Sequence, residues 1–220
     1  MTLIEVLVVM AVVMVIILAI LPQLLRPRPY QRSTRIACVN GLKQVGLAFR
    51  IWAGDNNDKY PMSMSVTNGG TMELVESGTV WRHFQIMSNE LNTPKILFCP
   101  ADSDPNRRMA TLWDRSPSAN SDPFPFLSDT NTSYFIGVDG TDTNPNMFLA
   151  GDRNLTVKNV ALRPGLHSLA TNEMIGWTKE IHVNQGNVLM ADASVQWLSA
   201  ASLQKALENT GVATNRLALP

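Results

Sequence analysis

Met1-Thr-Leu-Ile-Glu5-Val-Leu-Val-Val-Met10-Ala-Val-Val-Met-Val15-Ile-Ile-Leu-Ala-Ile20-Leu-Pro-Gln-Leu-Leu25 carries one charge, Glu5, in an otherwise apolar stretch. Val6 to Leu21 is unbroken, and Leu3, Ile4, Leu24 and Leu25 extend it on both sides. At ~1.5 Å per residue a helix over this stretch is about 35 Å long, enough to cross a bilayer core. A carboxylate at the centre of such a span costs on the order of 2.5–3.5 kcal/mol, so Glu5 is a functional-site candidate that needs a partner in its final environment.

A cleaved secretory signal fits poorly. No Lys or Arg precedes Arg26, and no clear small-x-small site precedes Pro22. Arg26, Arg28, Arg32 and Arg35 all follow the span, which by the positive-inside rule would leave the rest of the chain in the cytoplasm. Removal of a short basic leader from the front resolves this, and fits a mature chain.

Pro22, Pro27 and Pro29 then interrupt the helical pattern. Each removes a backbone donor and clashes with the preceding turn, at about 3 kcal/mol in a helix interior. The expectation is a hinge between two helical pieces, Thr2 to about Leu25 and about Gln31 to Ala53. In the second piece Cys38, Leu42, Val45, Phe49 and Trp52 recur at alternating spacings of four and three, one buried helical face. Arg35, Lys43 and Arg50 fall off that stripe, and Gly54-Asp-Asn-Asn-Asp58 stops the helix.

The 220 residues are 45% hydrophobic, enough for one anchor and one head with a core, and 18 basic residues balance 18 acidic ones. That neutrality hides an asymmetry. Residues 26–50 hold six basic side chains and no acid, a stretch placed to meet lipid headgroups or acidic neighbours. A solvated helical face accounts for it better than nucleic-acid binding.

Beyond residue 55 the signals turn to β. Ser133–Val138, Met147–Ala150 and Thr156–Leu162 are short apolar or alternating runs, and Lys95-Ile-Leu-Phe98 reads as another strand. Asn187–Ala191 and Ser194–Leu198 read as a hairpin with Asp192 and Ala193 at its turn, where Ala is uncomfortable at positive φ. Leu203, Ala206 and Leu207, capped by Ser199 or Ser202, predict a C-terminal helix. Long surface loops are expected between Ser116 and Asn146. The organisation is therefore residues 1–25 as transmembrane or filament-core helix, 26–54 as hinge and amphipathic second helix, and 55–220 as a β-rich head.

Cys38 and Cys99 are the only cysteines. In an oxidising compartment two cysteines of one exported domain usually pair, and closing a loop of about 60 residues contributes roughly 4 kcal/mol. Two reduced core cysteines remain the alternative. Neither belongs to a closely spaced Cys/His set, so the sequence assigns no metal to them.

The start Met1-Thr2-Leu3-Ile4-Glu5, with Pro22 following, resembles the mature N-terminus of type IV pilins and type II secretion pseudopilins. Cys38–Phe49, the Asp55–Pro61 loop, and His182 followed after nine residues by Asp192-Ala193 resemble a pseudopilin-like family with a C-terminal His-x9-Asp-Gly motif. Met1 departs from the usual Phe, Ala193 replaces the Gly, and Arg26-Pro-Arg-Pro29 departs from an uninterrupted stem. The resemblance implies an α+β, pilin-like fold: a long N-terminal α-helix, broken near Pro22–Pro29, packed on an antiparallel β-sheet head. It implies cleavage by a prepilin peptidase, N-methylation of Met1, and pairing of Glu5 with the Met1 amine of a neighbouring subunit.

Catalysis has little support in the residues. His83, His167 and His182 lie in no zinc-protease or Cys-His motif, and neither a Gly-x-Ser-x-Gly elbow nor a phosphate-binding Gly-rich loop occurs. Asp55, Asn57 and Asp58, or Asp102 and Asp104, are candidate calcium ligands, although turn chemistry explains them more simply and no metal residue is assigned. The expected function is a non-enzymatic, cofactor-free structural subunit of an extracellular type IV pilus-like filament. Its partners are copies of itself, the inner membrane before assembly, the prepilin peptidase and the assembly platform. A pseudopilin of a type II secretion system is the alternative, and a signal-anchored periplasmic binding or enzymatic domain is the alternative of another class.

Overall fold

The computed structural model of the chain describes residues 3–24, 30–114 and 124–220. The chain divides into two compact units, Met1–Ser33 and Thr34–Pro220. Helix α1, Leu3–Leu24, belongs to the first. Its side chains from Ile4 to Ile17 are exposed all round, on a helix with no polar face.

Helix α2, Tyr30–Asp55, continues into the second unit. Its Cys38, Leu42, Val45, Phe49 and Trp52 are at most 5% exposed. Short helices α3, Trp81–Gln85, and α4, Ser88–Leu91, follow within a stretch otherwise built of 3-10 turns. Of Lys95–Phe98, expected as a strand, the first three residues fall in one of these turns, Pro94–Leu97, and Phe98 alone is extended. Pro94 has no N–H for a ladder and suits a first helical position, and Thr93 caps the turn by accepting from the Lys95 N–H.

Among the described residues nine strands make two antiparallel sheets. They are β1 (Tyr134–Gly137), β2 (Phe148–Asp152), β3 (Leu155–Val157), β4 (Val160–Ala161), β5 (Gly165–Ala170), β6 (Ile175–Trp177), β7 (Gln185–Met190), β8 (Val195–Ser199) and β9 (Thr214–Leu219). The larger sheet runs β5-β9-β1-β2-β7-β8, and the smaller runs β4-β3-β6. Helix α5, Ala200–Glu208, separates β8 from β9 and is capped by Ser199.

The strand period of two sorts β1 between two cores. Tyr134 and Ile136 join Leu149, Ala150, Leu189 and the stripe of α2 in one cluster. Phe135 joins Phe148, Val188, Ile175, Trp177 and the α5 leucines Leu203 and Leu207 in the other. The large sheet is thus covered on one face by α2, and on the other by α5 and the small sheet. Close approach of α2 is set by its glycines. A Cβ at Gly41 would lie 2.8 Å from the Ile96 carbonyl oxygen, and one at Gly46 would lie 2.8 Å from Leu189 Cδ1.

The expected pilin-like fold does not hold. Among the described residues no helix is long and apolar enough to cross a membrane. The physical reason lies at the ends of α1: Glu5 and the Pro22-Gln23 pair confine the unbroken apolar run to Val6–Leu21. That run spans about 24 Å, against a hydrocarbon core of about 30 Å. In place of one long helix on one antiparallel sheet, the chain has α1 in its own unit, α2 as the helix against the sheet, and a head of six plus three strands with several 3-10 turns.

Candidate functional site

Two places concentrate chemistry that the fold alone does not require. The first is the opening turn of α1. Leu3, Ile4 and Glu5 form that turn, with Glu5 as the helix's acidic residue. Met1 and Thr2, the rest of the expected processing motif, lie outside the described residues, as do Pro27 and Pro29 of the expected hinge; Pro22 lies within α1.

The second place is buried beneath α2. Cys38 of α2 and Cys99, just after the Pro94–Leu97 turn, form a disulfide across a separation of 61 residues. His182 reaches the same spot from the loop between β6 and β7, its Nε2 lying 3.5 Å from Cys99 Sγ. On the other side that nitrogen lies 3.7 Å from Asp152 Oδ2 at the end of β2, the two side chains being 2% and 0% exposed. Trp197 of β8 meets the His182 ring edge-on at 5.2 Å, and the Arg35 guanidinium of α2 stacks 3.7 Å over Trp197.

Local backbone geometry aims the imidazole inward. His182, Val183 and Asn184 occupy consecutive positive-φ conformations, at φ 54°, 51° and 60°. Left-handed backbone costs roughly 1–2 kcal/mol for an ordinary residue, and least for Asn. Asn154 braces the loop, donating from Nδ2 to the Thr178 and Ile181 carbonyls at 3.1 and 3.0 Å.

Burial controls the electrostatics. It raises the Asp152 carboxyl to about 7, opposed by two hydrogen bonds from Asn187 and reinforced by the nearby Asp102 charge. Asn187 donates from its backbone N–H at 2.7 Å and from Nδ2 at 2.9 Å, both to Asp152 Oδ2. Burial, helped by Arg35, lowers His182 to about 4, so the imidazole is neutral at pH 7. Asp152 Oδ1, Asn187 Oδ1 and Asn154 Oδ1 are buried with no hydrogen-bond partner among the described residues. A neutral imidazole, the two disulfide sulfurs and a carboxyl group therefore converge in the core with spare acceptor capacity, buried away from any bulky substrate.

Of the calcium candidates, Asp102 and Asp104 are held by Arg153. Arg153 donates to both carboxylate oxygens of Asp102, at 2.9 and 2.8 Å, and to Asp104 at 3.3 Å. Burial raises the Asp102 carboxyl, but the Arg153 fork outweighs it and holds the group below the usual carboxylate range. Asp55 ends α2, while Asn57 and Asp58 adopt left-handed turn conformations. His83 is buried against the Thr71 hydroxyl at 2.7 Å, and His167 lies 2.7 Å from the Arg163 carbonyl. Sequence reasoning missed Asp152, Asn154 and Asn187. The only signal was polar residues at the edges of apolar strands, which is also the signal of any turn.

No family model matches the chain, and neither a curated protein nor a solved structure does. The resemblance to pilins and pseudopilins therefore rests on the sequence motifs alone.

Proposed function

We propose that the chain is a structural subunit of an extracellular type IV pilus-like filament, assembled through α1 from a reservoir at the inner membrane. The observation that carries this reading is the state of α1 in the isolated chain. Its large apolar side chains from Ile4 to Ile17 keep between 43% and 71% of their surface exposed. An apolar surface of that extent marks an interaction site in a water-exposed protein. Each such side chain contributes about 1.5–3 kcal/mol when fully buried, so surrounding α1 with equivalent helices is a strong drive for association.

A helix that is apolar on every side needs neighbours on every side. Copies of the same helix supply them in a heterologous, open assembly. Glu5 then enters an apolar bundle, where the α-amino group of an adjacent subunit is the available cation. Breaking such a buried pair costs about 3–5 kcal/mol. The disulfide-closed head suits an oxidising compartment.

The test is expression of the chain and of Glu5→Ala in the native host, followed by comparison of sheared surface fibres with membrane-retained protein. Fibres containing the parental chain, and a sharp fall in fibre yield for Glu5→Ala with the head still folded, support the proposal. Short, membrane-attached fibres assign the chain to a secretion pseudopilus instead. A chain recovered only as membrane-retained monomer overturns the filament reading in favour of an anchored domain.

A further inference from the structure

The buried cluster under α2 uses none of the chemistry that filament assembly requires. Cys38 Sγ, Cys99 Sγ and a His182 ring nitrogen all lie within 4.8 Å of one another. Asp152 lies outside that trio, its Oδ2 3.7 Å from His182 Nε2, and becomes a fourth ligand only by shifting toward the sulfurs. We propose that Cys38, Cys99, His182 and Asp152 form a redox-gated zinc site, occupied when the two cysteines are reduced and emptied when they join as the disulfide.

The distances agree with the stereochemistry of zinc. Bonds of about 2.3 Å to sulfur and about 2.0–2.1 Å to imidazole, at tetrahedral angles, separate a sulfur from a ring nitrogen by about 3.5 Å. His182 Nε2 and Cys99 Sγ are 3.5 Å apart with the disulfide closed. The same bonds place two thiolates about 3.8 Å apart, so reduction has only to let the sulfurs part. Asp152 Oδ1, which is buried and accepts nothing among the described residues, gives the carboxylate a spare oxygen for the ion. Asn187 holds the other oxygen, orienting the group from outside the ligand set as ligating carboxylates commonly are. The consecutive left-handed residues 182–184 keep the imidazole in place whichever state the sulfurs are in.

The switch balances as an exchange with a small-molecule disulfide such as oxidised glutathione. Two zinc-bound thiolates give up one electron each, and the Cys38–Cys99 bond forms. The glutathione S–S bond breaks, taking up those two electrons and, from water, two protons to give two thiols, while zinc leaves as the dication. Zinc therefore protects the thiols in a reducing compartment, and the disulfide replaces the ion on export.

The experiment uses the full chain in detergent micelles, reduced without oxygen and titrated with cobalt(II), then with zinc. The expected result is one equivalent per chain, an intense tetrahedral cobalt spectrum with a thiolate-to-metal charge-transfer band, displacement by zinc, and a higher melting temperature with zinc. The disulfide form should bind at least tenfold more weakly. His182→Gln, whose folding is verified in its disulfide form, should bind cobalt at least tenfold more weakly once reduced, and Asp152→Asn should also weaken it. A spectrum without the charge-transfer band overturns the proposal. So does equal affinity in His182→Gln, or a reduced chain that neither binds metal nor gains stability from it. Unchanged affinity in Asp152→Asn removes the carboxylate from the ligand set.

Discussion

Arg35 of α2 lies over the face of Trp197 of β8, its guanidinium carbon 3.7 Å from the ring centroid, and Trp197 in turn packs edge-on against His182. One cation thus joins the long amphipathic helix to the C-terminal hairpin and borders the buried cluster. A cation over an indole face contributes about 0.5–2 kcal/mol, more as the pair is desolvated.

Arg35→Ala should lower the stability of the folded chain by about 1–2 kcal/mol in urea denaturation. Arg35→Lys should recover only part of that, because the planar fork is what stacks. Since Arg35 helps hold the His182 imidazole down near 4, removing its charge should also raise the His182 midpoint in an NMR titration. An unmoved midpoint would show that burial alone sets it.

Gly41 offers a test in which two effects oppose. On an open helix Gly→Ala gains up to about 1 kcal/mol of propensity. Here the new methyl would sit 2.8 Å from the Ile96 carbonyl oxygen and 3.1 Å from Tyr134 Oη. Overpacking of this kind costs about 1–3 kcal/mol, and the nearest obstacle is backbone. Gly41→Ala should therefore be destabilising overall by about 1 kcal/mol in thermal or urea denaturation. A stabilised variant would show that α2 can lift from the turn at little cost.

His83 predicts an acid-side loss of stability. Burial lowers it from 6.5 to about 4, and its Nε2 has no hydrogen-bond partner among the described residues. As pH falls below 6.5, the unfolded chain takes up a proton that the folded chain refuses. The contribution is therefore fully present above about pH 6.5 and is lost as pH falls towards 4, to a total of about 3 kcal/mol. His83→Asn, which retains a partner for the Thr71 hydroxyl, should lose correspondingly less between pH 7 and about pH 4.5. Parallel pH profiles for the two chains would exclude His83 as the source.

The amphipathic stripe from Cys38 to Trp52 was legible because a helix buried on one face leaves a period near 3.6 in its apolar residues. The β7–β8 hairpin showed itself through two apolar runs either side of a polar turn, and Ala193 takes the positive φ, 66°, that its position demands. Strand β9 was not legible. Thr214–Leu219 lies between β1 and β5, and its last three residues are all buried, so no alternation marks it. The run Lys95–Phe98 misled for the opposite reason, being apolar enough for a strand but preceded by a proline that starts a turn. The membrane-spanning expectation counted the flanks of α1 with its centre, although Glu5 and Pro22 bound the uninterrupted apolar run.

Helix, turn and strand preferences depend on neighbours a few residues away, so an apolar N-terminal helix with one acid and an amphipathic second helix could be read from the chain alone. The pairing of Cys38 with Cys99 could be read from the chain as well; the arrival of Asp152 and His182 beside that pair could not, because it depends on how separate elements pack. Antiparallel pairing of β2 with β7 sets Asp152 beside Asn187, the left-handed loop turns His182 inward, and α2 lays Cys38 onto Cys99. Each of those placements is a long-range contact whose loop-closure entropy is offset only when the whole core forms. No local pattern announces them, and the tertiary structure alone brings Asp152 and His182 to the two cysteines.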